Sequence, residues 1–457
     1  MDSFSRQVLD RVPLADATLT VLSFVLEESF LEELFDSHRD RQYTRLISFA
    51  TITELICDAL IQNKSGRGVF EKAHAEGELT ASVEAAYKKL GRMPVALSMA
   101  LLAGGSQRVR ALFPEGCRET TVPASLAEFT AIVVDGKVTK GIPHRLKPLR
   151  GRVGGLVGGR GLVAIHLESG LVLGMVAAED GDANDVRFLP ELTPSIRVEH
   201  PGRRLWLADR QFSFLTTVAE FAKDEDVFIV RYSKGIPFER DASVPVRRGQ
   251  DALGRSYEEE WGWLGKEKSK NRRRVRRLTL DRGPKEAIIL VTNLLDGDRY
   301  PAADVLEVYG CRTNIEYVFQ RVTEVFRLRR LIGTSPKATL FQLSLCLLLY
   351  NVLQLVRGYI AANNRKEMER VSPKKVLDDI RDELISCQTI LGVKKMARCL
   401  PRAATSEEVK RHLEERLQQW KPRWTKAQRR RNRPDKPKRR GGHDSAYRLL
   451  NNAQGNS

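Results

Sequence analysis

The sequence is poor in the residues that staple or metallate a small fold. Its six cysteines, Cys57, Cys117, Cys311, Cys346, Cys387 and Cys399, are scattered over 457 residues, and no two lie within CxxC distance. That spacing argues against a zinc ribbon or a disulfide framework and suits a reducing compartment. The seven histidines, at 38, 74, 144, 166, 200, 412 and 443, are also isolated, with no pair at zinc-ligand spacing. The opening residues MDSFSRQVLDRVPLADATLT carry acids early and lack the apolar core of a signal peptide. One long apolar run, Leu340 to Ile360, is interrupted by Gln342, Asn351, Gln354 and Arg357. Those side chains are costly in lipid, so the run reads as a buried helix and no membrane span is expected.

Positive charge is plentiful. Lys and Arg number 76 against 58 Asp and Glu, a formal charge of +18. Such a surplus attracts polyanions through counterion release, which directs attention to nucleic acid. The surplus is concentrated at the end of the chain, where Lys421 to Arg440 holds eleven Lys or Arg against one Asp. A block of that kind is expected to be disordered or bound to phosphate, with Trp420 and Trp424 available to stack on bases. A second basic run, KEKSKNRRRVRR (266–277), reads on its own as a solvated hairpin edge.

The length calls for two to four structural units. Residues 1–125 show apolar residues at helical intervals and are expected to form a helical N-terminal domain. From pattern alone it is either a DNA-binding domain or a structural bundle. The pattern then changes. FTAIVVDGK (129–137), GLVAIHLE (161–168) and GLVLGMVAAE (170–179) read as strands, the last two as a hairpin. A helix follows near Asp182, then the strand RRLWLADRQ (203–211), the helix FSFLTTVAEFAK (212–223) and the strand VFIVRYS (227–233). Three strands, helix, strand, helix, strand is the order of a ribonuclease H-like α/β mixed sheet, expected here over 126–233. Residues 234–300 alternate short strands and turns, a β-rich insertion. Residues 301–362 are expected to return to the core as one long helix over 303–331 and the apolar helix. Further helices over 363–420 and the basic tail 421–457 complete the chain.

Asp135 and Asp209 each close an apolar strand, where ligands of open α/β sheets gather. A third acid lies in Y-x2-R-x3-E, formed by Tyr309, Arg312 and Glu316, which share one helix face at i, i+3 and i+7. Ile315, Phe319, Val322 and Phe326 supply an apolar face to dock that helix. Three gathered carboxylates are hard oxygen donors suited to Mg²⁺ or Mn²⁺, and two such ions can activate water and stabilise a leaving oxygen.

VVDGK, LADRQF and Y-x2-R-x3-E resemble the bacterial insertion-sequence transposases with a Tyr-Arg-Glu-Lys signature, over about residues 125–360. The resemblance implies a ribonuclease H-like core interrupted by a β insertion between the second Asp and the Glu. Here 106 largely β-patterned residues lie between Asp209 and Glu316. It also implies Asp135, Asp209 and Glu316 as catalytic carboxylates holding two Mg²⁺ or Mn²⁺ ions, with Tyr309 and Arg312 on a DNA phosphate. The implied reaction is cut-and-paste transposition: cleavage at terminal inverted repeats and transfer to target DNA by a homodimer. A cytoplasmic, nucleoid-associated location accompanies that activity.

Two positions depart from the family. Its Lys, seven residues after the Glu, is Thr323 here, with Arg321, Arg327 and Arg329 as nearby cations. Its Trp, four residues before Thr292, is Ile288, while Trp261 and Trp263 lie in the same insertion. The alternative is therefore a catalytically inactive or repurposed transposase that binds DNA. A structure-selective nuclease such as a junction resolvase fits the insertion and helix signature less well.

Overall fold

The computed structural model describes residues 3–454, apart from 41, 43–46, 63, 143–149, 152–154, 284, 327, 329–331, 392–404 and 427–442. Seven helices come first among them: α1 (Ser3–Asp10), α2 (Pro13–Val25), α3 (Glu28–His38), α4 (Phe49–Ile61), α5 (Gly66–Ala75), α6 (Val83–Gly91) and α7 (Val95–Leu112). Serines start three of them by accepting the N–H three residues on: Ser48 from Thr51, Ser65 from Gly68 and Ser82 from Ala85. Pro94 separates α6 from α7 within a stretch whose apolar period runs on unbroken.

The sheet begins with β1 (Thr130–Ile142), β2 (Gly155–His166) and β3 (Val172–Ala178), an antiparallel meander. Helix α8 (Leu189–Glu199) leads to β4 (Arg204–Ala208), and α9 (Leu215–Phe221) to β5 (Val227–Arg231). β1, β4 and β5 are parallel neighbours, giving the spatial order β3-β2-β1-β4-β5, a mixed sheet led by an antiparallel meander as the sequence reading expects. The next strands, β6 (Phe238–Arg240), β7 (Arg247–Gln250), β8 (Ser256–Leu264), β9 (Arg273–Arg282) and β10 (Lys285–Thr292), extend this sheet, because β10 pairs antiparallel with β5. The stretch read as an insertion is thus hydrogen-bonded into one continuous eleven-stranded sheet.

Alternation along the strands divides the core in two. Ile132, Val134, Trp206, Ala208, Phe228 and Val230 face α8 and α9. Ala131, Val133, Leu205, Leu207 and Ile229 face the other way, toward α10 (Ala302–Gly310), α11 (Asn314–Val325) and α12 (Pro336–Asn363). Being covered on both faces is why β1, β4 and β5 read as unbroken apolar runs. Asp226 clamps the starts of β4 and β5: it accepts from Arg204 Nε at 2.6 Å, Trp206 Nε1 at 2.9 Å and Arg197 Nε at 2.9 Å.

Helix α12 is the apolar run. It is long and apolar enough to cross a membrane, yet its most apolar stretch is wholly buried within the protein. Two of its polar residues find backbone partners there: Asn351 bonds both the N–H and C=O of Val172, and Arg357 bonds the carbonyls of Met368 and Val371. The segments 1–125 and 363–420, read separately in sequence, pack together around this helix. α2 touches α12, α13 (Pro373–Leu391) and α14 (Ser406–Arg416).

Three expectations change. The helix expected over 303–331 is broken by a 3-10 turn, Cys311–Thr313, after Gly310, where Thr313 Oγ1 donates to the Gly310 carbonyl at 3.1 Å. Glycine and a side chain competing for backbone bonds explain the break. The run 266–277 is a solvated hairpin only as far as the turn before β9, since 273–277 lies in β9, between β8 and β10. Its Arg272, Arg274, Arg276 and Arg277 pair with Glu239, Asp241, Glu259 and Glu260. Nor is the whole tail disordered: β11 (His443–Ser445) pairs parallel with β2 and leads into α15 (Ala446–Gln454). The densest part of the basic block, 427–440, lies outside the described residues.

Trp424 is not a platform for bases, being 1% exposed with Nε1 donating to Asp379 at 3.0 Å. Trp420 packs edge-on against it at 6.0 Å. Trp424→Ala is therefore expected to cost about 3–5 kcal/mol of stability, read as a lowered thermal midpoint by circular dichroism. An unchanged midpoint with lost DNA affinity would restore the stacking role.

Candidate active site

The parallel pairing of β1 with β4 brings two acids level. The last paired residues are Val133 and Leu207, and two positions beyond each stand Asp135 and Asp209. β1 itself runs on to Ile142, so Asp135 does not close its strand as the sequence suggests; neighbouring strands lie about 4.8 Å apart, which sets the two carboxylates side by side where the β1–β4 ladder ends. Asp135 Oδ1 accepts from the Gly136 N–H at 2.9 Å, and Asp209 Oδ1 accepts from the Arg210 N–H at 2.6 Å. Asp209 thereby caps the 3-10 turn Arg210–Phe212.

The broken helix brings the third acid. Tyr309 closes α10, Arg312 sits in the 3-10 turn, and Glu316 lies in the first turn of α11, which packs on β1. The Arg312 guanidinium is the hub. Its Nη2 lies 3.1 Å from Glu316 Oε1, its Nη1 lies 3.8 Å from Asp135 Oδ2, and its carbon lies 5.9 Å from the Tyr309 ring centre. Asp209 also acts on both Arg312 and Tyr309 electrostatically. Arg312 is itself held above its ordinary pKa: burial opposes its charge, but Tyr309, Asp209, Asp135 and Glu316 together outweigh that burial.

Asp135, Tyr309, Arg312 and Glu316 therefore meet at one place, with Asp209 on the neighbouring strand near enough to act on them electrostatically. They meet on a cation, however. Among the described residues no three His, Cys, Asp or Glu side chains stand close enough to hold one metal ion. Glu316 is engaged by Arg312 while more than half exposed, and Asp135 and Asp209 form the carboxylate pair beside it. The donor chemistry still fits a divalent ion. Asp135 is pushed up to about 6, first by burial, with Arg312 and the Gly136 N–H pulling it down and Asp209 and Asp185 pushing it further up. Arg312 only partly offsets the burial of this carboxyl, and Mg²⁺ commonly binds through one or two carboxylates plus substrate oxygens.

The structure adds residues that the sequence reading missed. Lys137 shares a face of β1 with Asp135, and its Nζ reaches α11, 3.3 Å from Thr323 Oγ1 and 5.3 Å from the Phe319 ring centre. A cation thus stands beside Thr323, contributed by the strand and not by the helix. Period-two alternation from Asp135 was the signal for it. Arg321, a substitute considered in sequence, turns to Glu119 and Tyr350, 3.5 Å from each; Arg327 and Arg329 lie outside the described residues. Asp185, at the start of the 3-10 turn Asp185–Phe188, lies under Gly136 and contacts Gln211; nothing in its sequence surroundings marked it. In the added strands Trp261 is packing, with Nε1 bonded to the Leu295 carbonyl at 2.8 Å. Trp263 stays 37% exposed under the Arg272 guanidinium, while Ile288 packs against the core.

Asp135 and Asp209, each just past the parallel ladder of β1 and β4, are met by Arg312 of the 3-10 turn and Glu316 of α11 on a mixed α/β scaffold. Residues 130–352, just under half of the chain, match the family described as transposase DDE domain. No curated protein matches the chain. Among solved structures it is similar to one described as "Cryo-EM structure of piggyBac transposase synaptic complex with hairpin DNA (SNHP)". The TM-score is 0.42 and the identity 9%, over 89% of this chain and 86% of that one.

The raised Asp135 carboxyl gives a pH test. Below its ordinary value of 3.8 the group is protonated in both folded and unfolded chains and costs nothing. The cost grows as pH rises and is complete above about 6, on the order of 2–3 kcal/mol. Asp135→Asn should therefore raise the thermal midpoint of the metal-free protein at pH 8 and leave it unchanged near pH 4. Millimolar Mg²⁺ should raise the midpoint of the wild type more than that of the variant. A variant no more stable than the wild type at pH 8 would contradict this electrostatic picture.

Proposed function

We propose that the protein is a transposase that cleaves DNA at the ends of an insertion sequence and joins the freed ends to target DNA. The observation that carries this reading is the convergence of Asp135, Asp209 and Glu316 on Arg312, inside the segment that matches the transposase DDE domain.

Asp135 and Asp209 would hold a divalent ion, Mg²⁺ or Mn²⁺, and Glu316 would complete a two-ion set once free of Arg312. When bound, such ions supply an activated water and stabilise the leaving oxygen. The chain's own residues do the rest. A DNA phosphate offers Arg312 a bidentate partner stronger than its single contact with Glu316, so substrate binding releases the acid toward its fellows. Tyr309 stands against the same guanidinium and steadies the phosphate with its hydroxyl. Lys137 contributes the second cation on this face, at the height of Thr323. Two element ends require two active sites, so a homodimer on terminal inverted repeats belongs to the proposal, as does a nucleoid-associated, cytoplasmic location.

The test is cleavage of a linear fragment bearing the native element end, with products resolved on a denaturing gel. Cleavage should require Mg²⁺ or Mn²⁺. Asp135→Ala, Asp209→Ala and Glu316→Ala should each lower the rate by about a thousandfold or more, with DNA binding largely retained. Lys137→Ala should weaken binding and reduce by about one the slope of affinity against salt, as loss of one phosphate contact requires. A folded Glu316→Ala protein that cleaves normally would remove the assignment. Binding without any nicking by the wild type would favour the inactive DNA-binding reading.

A further inference from the structure

Asp135 lies within β1 and Asp209 just past the end of β4, and the two repel each other, so their own contacts do not fix their separation. A third buried acid does. The carboxylate of Asp185 is 1% exposed and lies on the sheet face opposite α11, where Gly136 leaves room for it. A Cβ at Gly136 would fall 2.1 Å from Asp185 Oδ2, 2.2 Å from Cγ and 2.3 Å from Oδ1. No side chain fits between that carboxylate and the peptide next to Asp135.

The same carboxylate is held from two other segments. Arg160 of β2 donates to it through Nε and, at 2.5 Å, through Nη2. Arg160 is paired in register with Val138, two residues beyond Gly136. Gln211 Nε2 donates to Asp185 Oδ2 at 2.9 Å, and Gln211 lies two residues after Asp209, in the turn that Asp209 caps. One carboxylate therefore touches the backbone beside the first acid, the strand paired with it, and the turn carrying the second.

Stability alone gives little reason for this arrangement. Replacing a buried ion pair by apolar residues of similar volume is often neutral or stabilising. Groups that orient ligands from behind, by contrast, typically change metal affinity or activity 10- to 100-fold when removed.

We propose that Asp185 is a positioning residue that sets the distance between Asp135 and Asp209 through Gly136 and Gln211. This rests on the reading above that those two carboxylates are catalytic.

The experiment is single-turnover cleavage of element-end DNA across a series of Mn²⁺ concentrations, with folding checked by circular dichroism and binding by gel shift. Asp185→Ala should slow cleavage about 10- to 100-fold and raise the Mn²⁺ needed for half-maximal rate, with DNA affinity unchanged. Asp185→Asn, which keeps an acceptor for Gln211, should recover part of the rate. Gly136→Ala should also slow cleavage in the wild-type background, but add little to Asp185→Ala, where its methyl group finds space. If Asp185→Ala fails to fold, Gln211→Ala carries the test, since it leaves the Arg160 pair in place. The same Mn²⁺ shift there supports the proposal. A folded variant with wild-type rate and wild-type Mn²⁺ requirement overturns this proposal alone. A wild-type protein that never cleaves overturns both this proposal and the transposase reading.

Discussion

The Arg312 guanidinium lies where the strand-end acids meet Glu316, and the site depends on that one cation. Two carboxylates about 4 Å apart repel by roughly 4 kcal/mol at an effective dielectric of about 20. Asp135 and Asp209 share a sheet end that is mostly buried, and Glu316 comes in from the helix above. Without positive charge such a group pushes itself apart or takes up protons, and Asp135 has gone part of the way, to about 6. Arg312 makes the metal-free arrangement tenable by pairing with Glu316 and lying near Asp135. In the proposed mechanism a phosphate or a divalent ion would compete for the same contacts.

The rest of the fold serves this placement. Parallel strands buried on both faces bring the two Asp residues to the same height, and Asp226 anchors the opposite ends of β4 and β5. In the 3-10 turn after Gly310, Arg312 is 9% exposed, while Glu316 in the first turn of α11 stays more than half exposed. The basic strands have a different role from the one their composition suggests. Cross-strand register sets Glu260 opposite Arg277, so much of the charge in 272–277 is consumed inside the sheet.

Much of the core was legible because its signals are local. Apolar runs ending in acid at Asp135 and Asp209 reflect strands covered on both faces, and Y-x2-R-x3-E reflects helical spacing. What escaped depends on tertiary neighbours. Asp185 became part of the site only through contact with Gly136 and Gln211, which no spacing encodes. Trp424 sits in a basic segment whose composition says solvent, yet Asp379 and the Trp420 ring draw it into the core. The histidines looked isolated in sequence, but folding stacks His166 on His200 at 6.1 Å, where burial holds both at about 4. Lys137 could have been found by applying strand alternation to the residue two beyond Asp135.

The most direct test of the account is where a divalent ion sits. Fe²⁺ substituted for Mg²⁺, with ascorbate and peroxide, cuts the polypeptide beside the residues that bind it. With element-end DNA present, the account predicts backbone cuts next to Asp135, Asp209 and Glu316, suppressed by excess Mg²⁺. Cuts confined to other segments, or cuts at these positions that Mg²⁺ does not compete away, would contradict it.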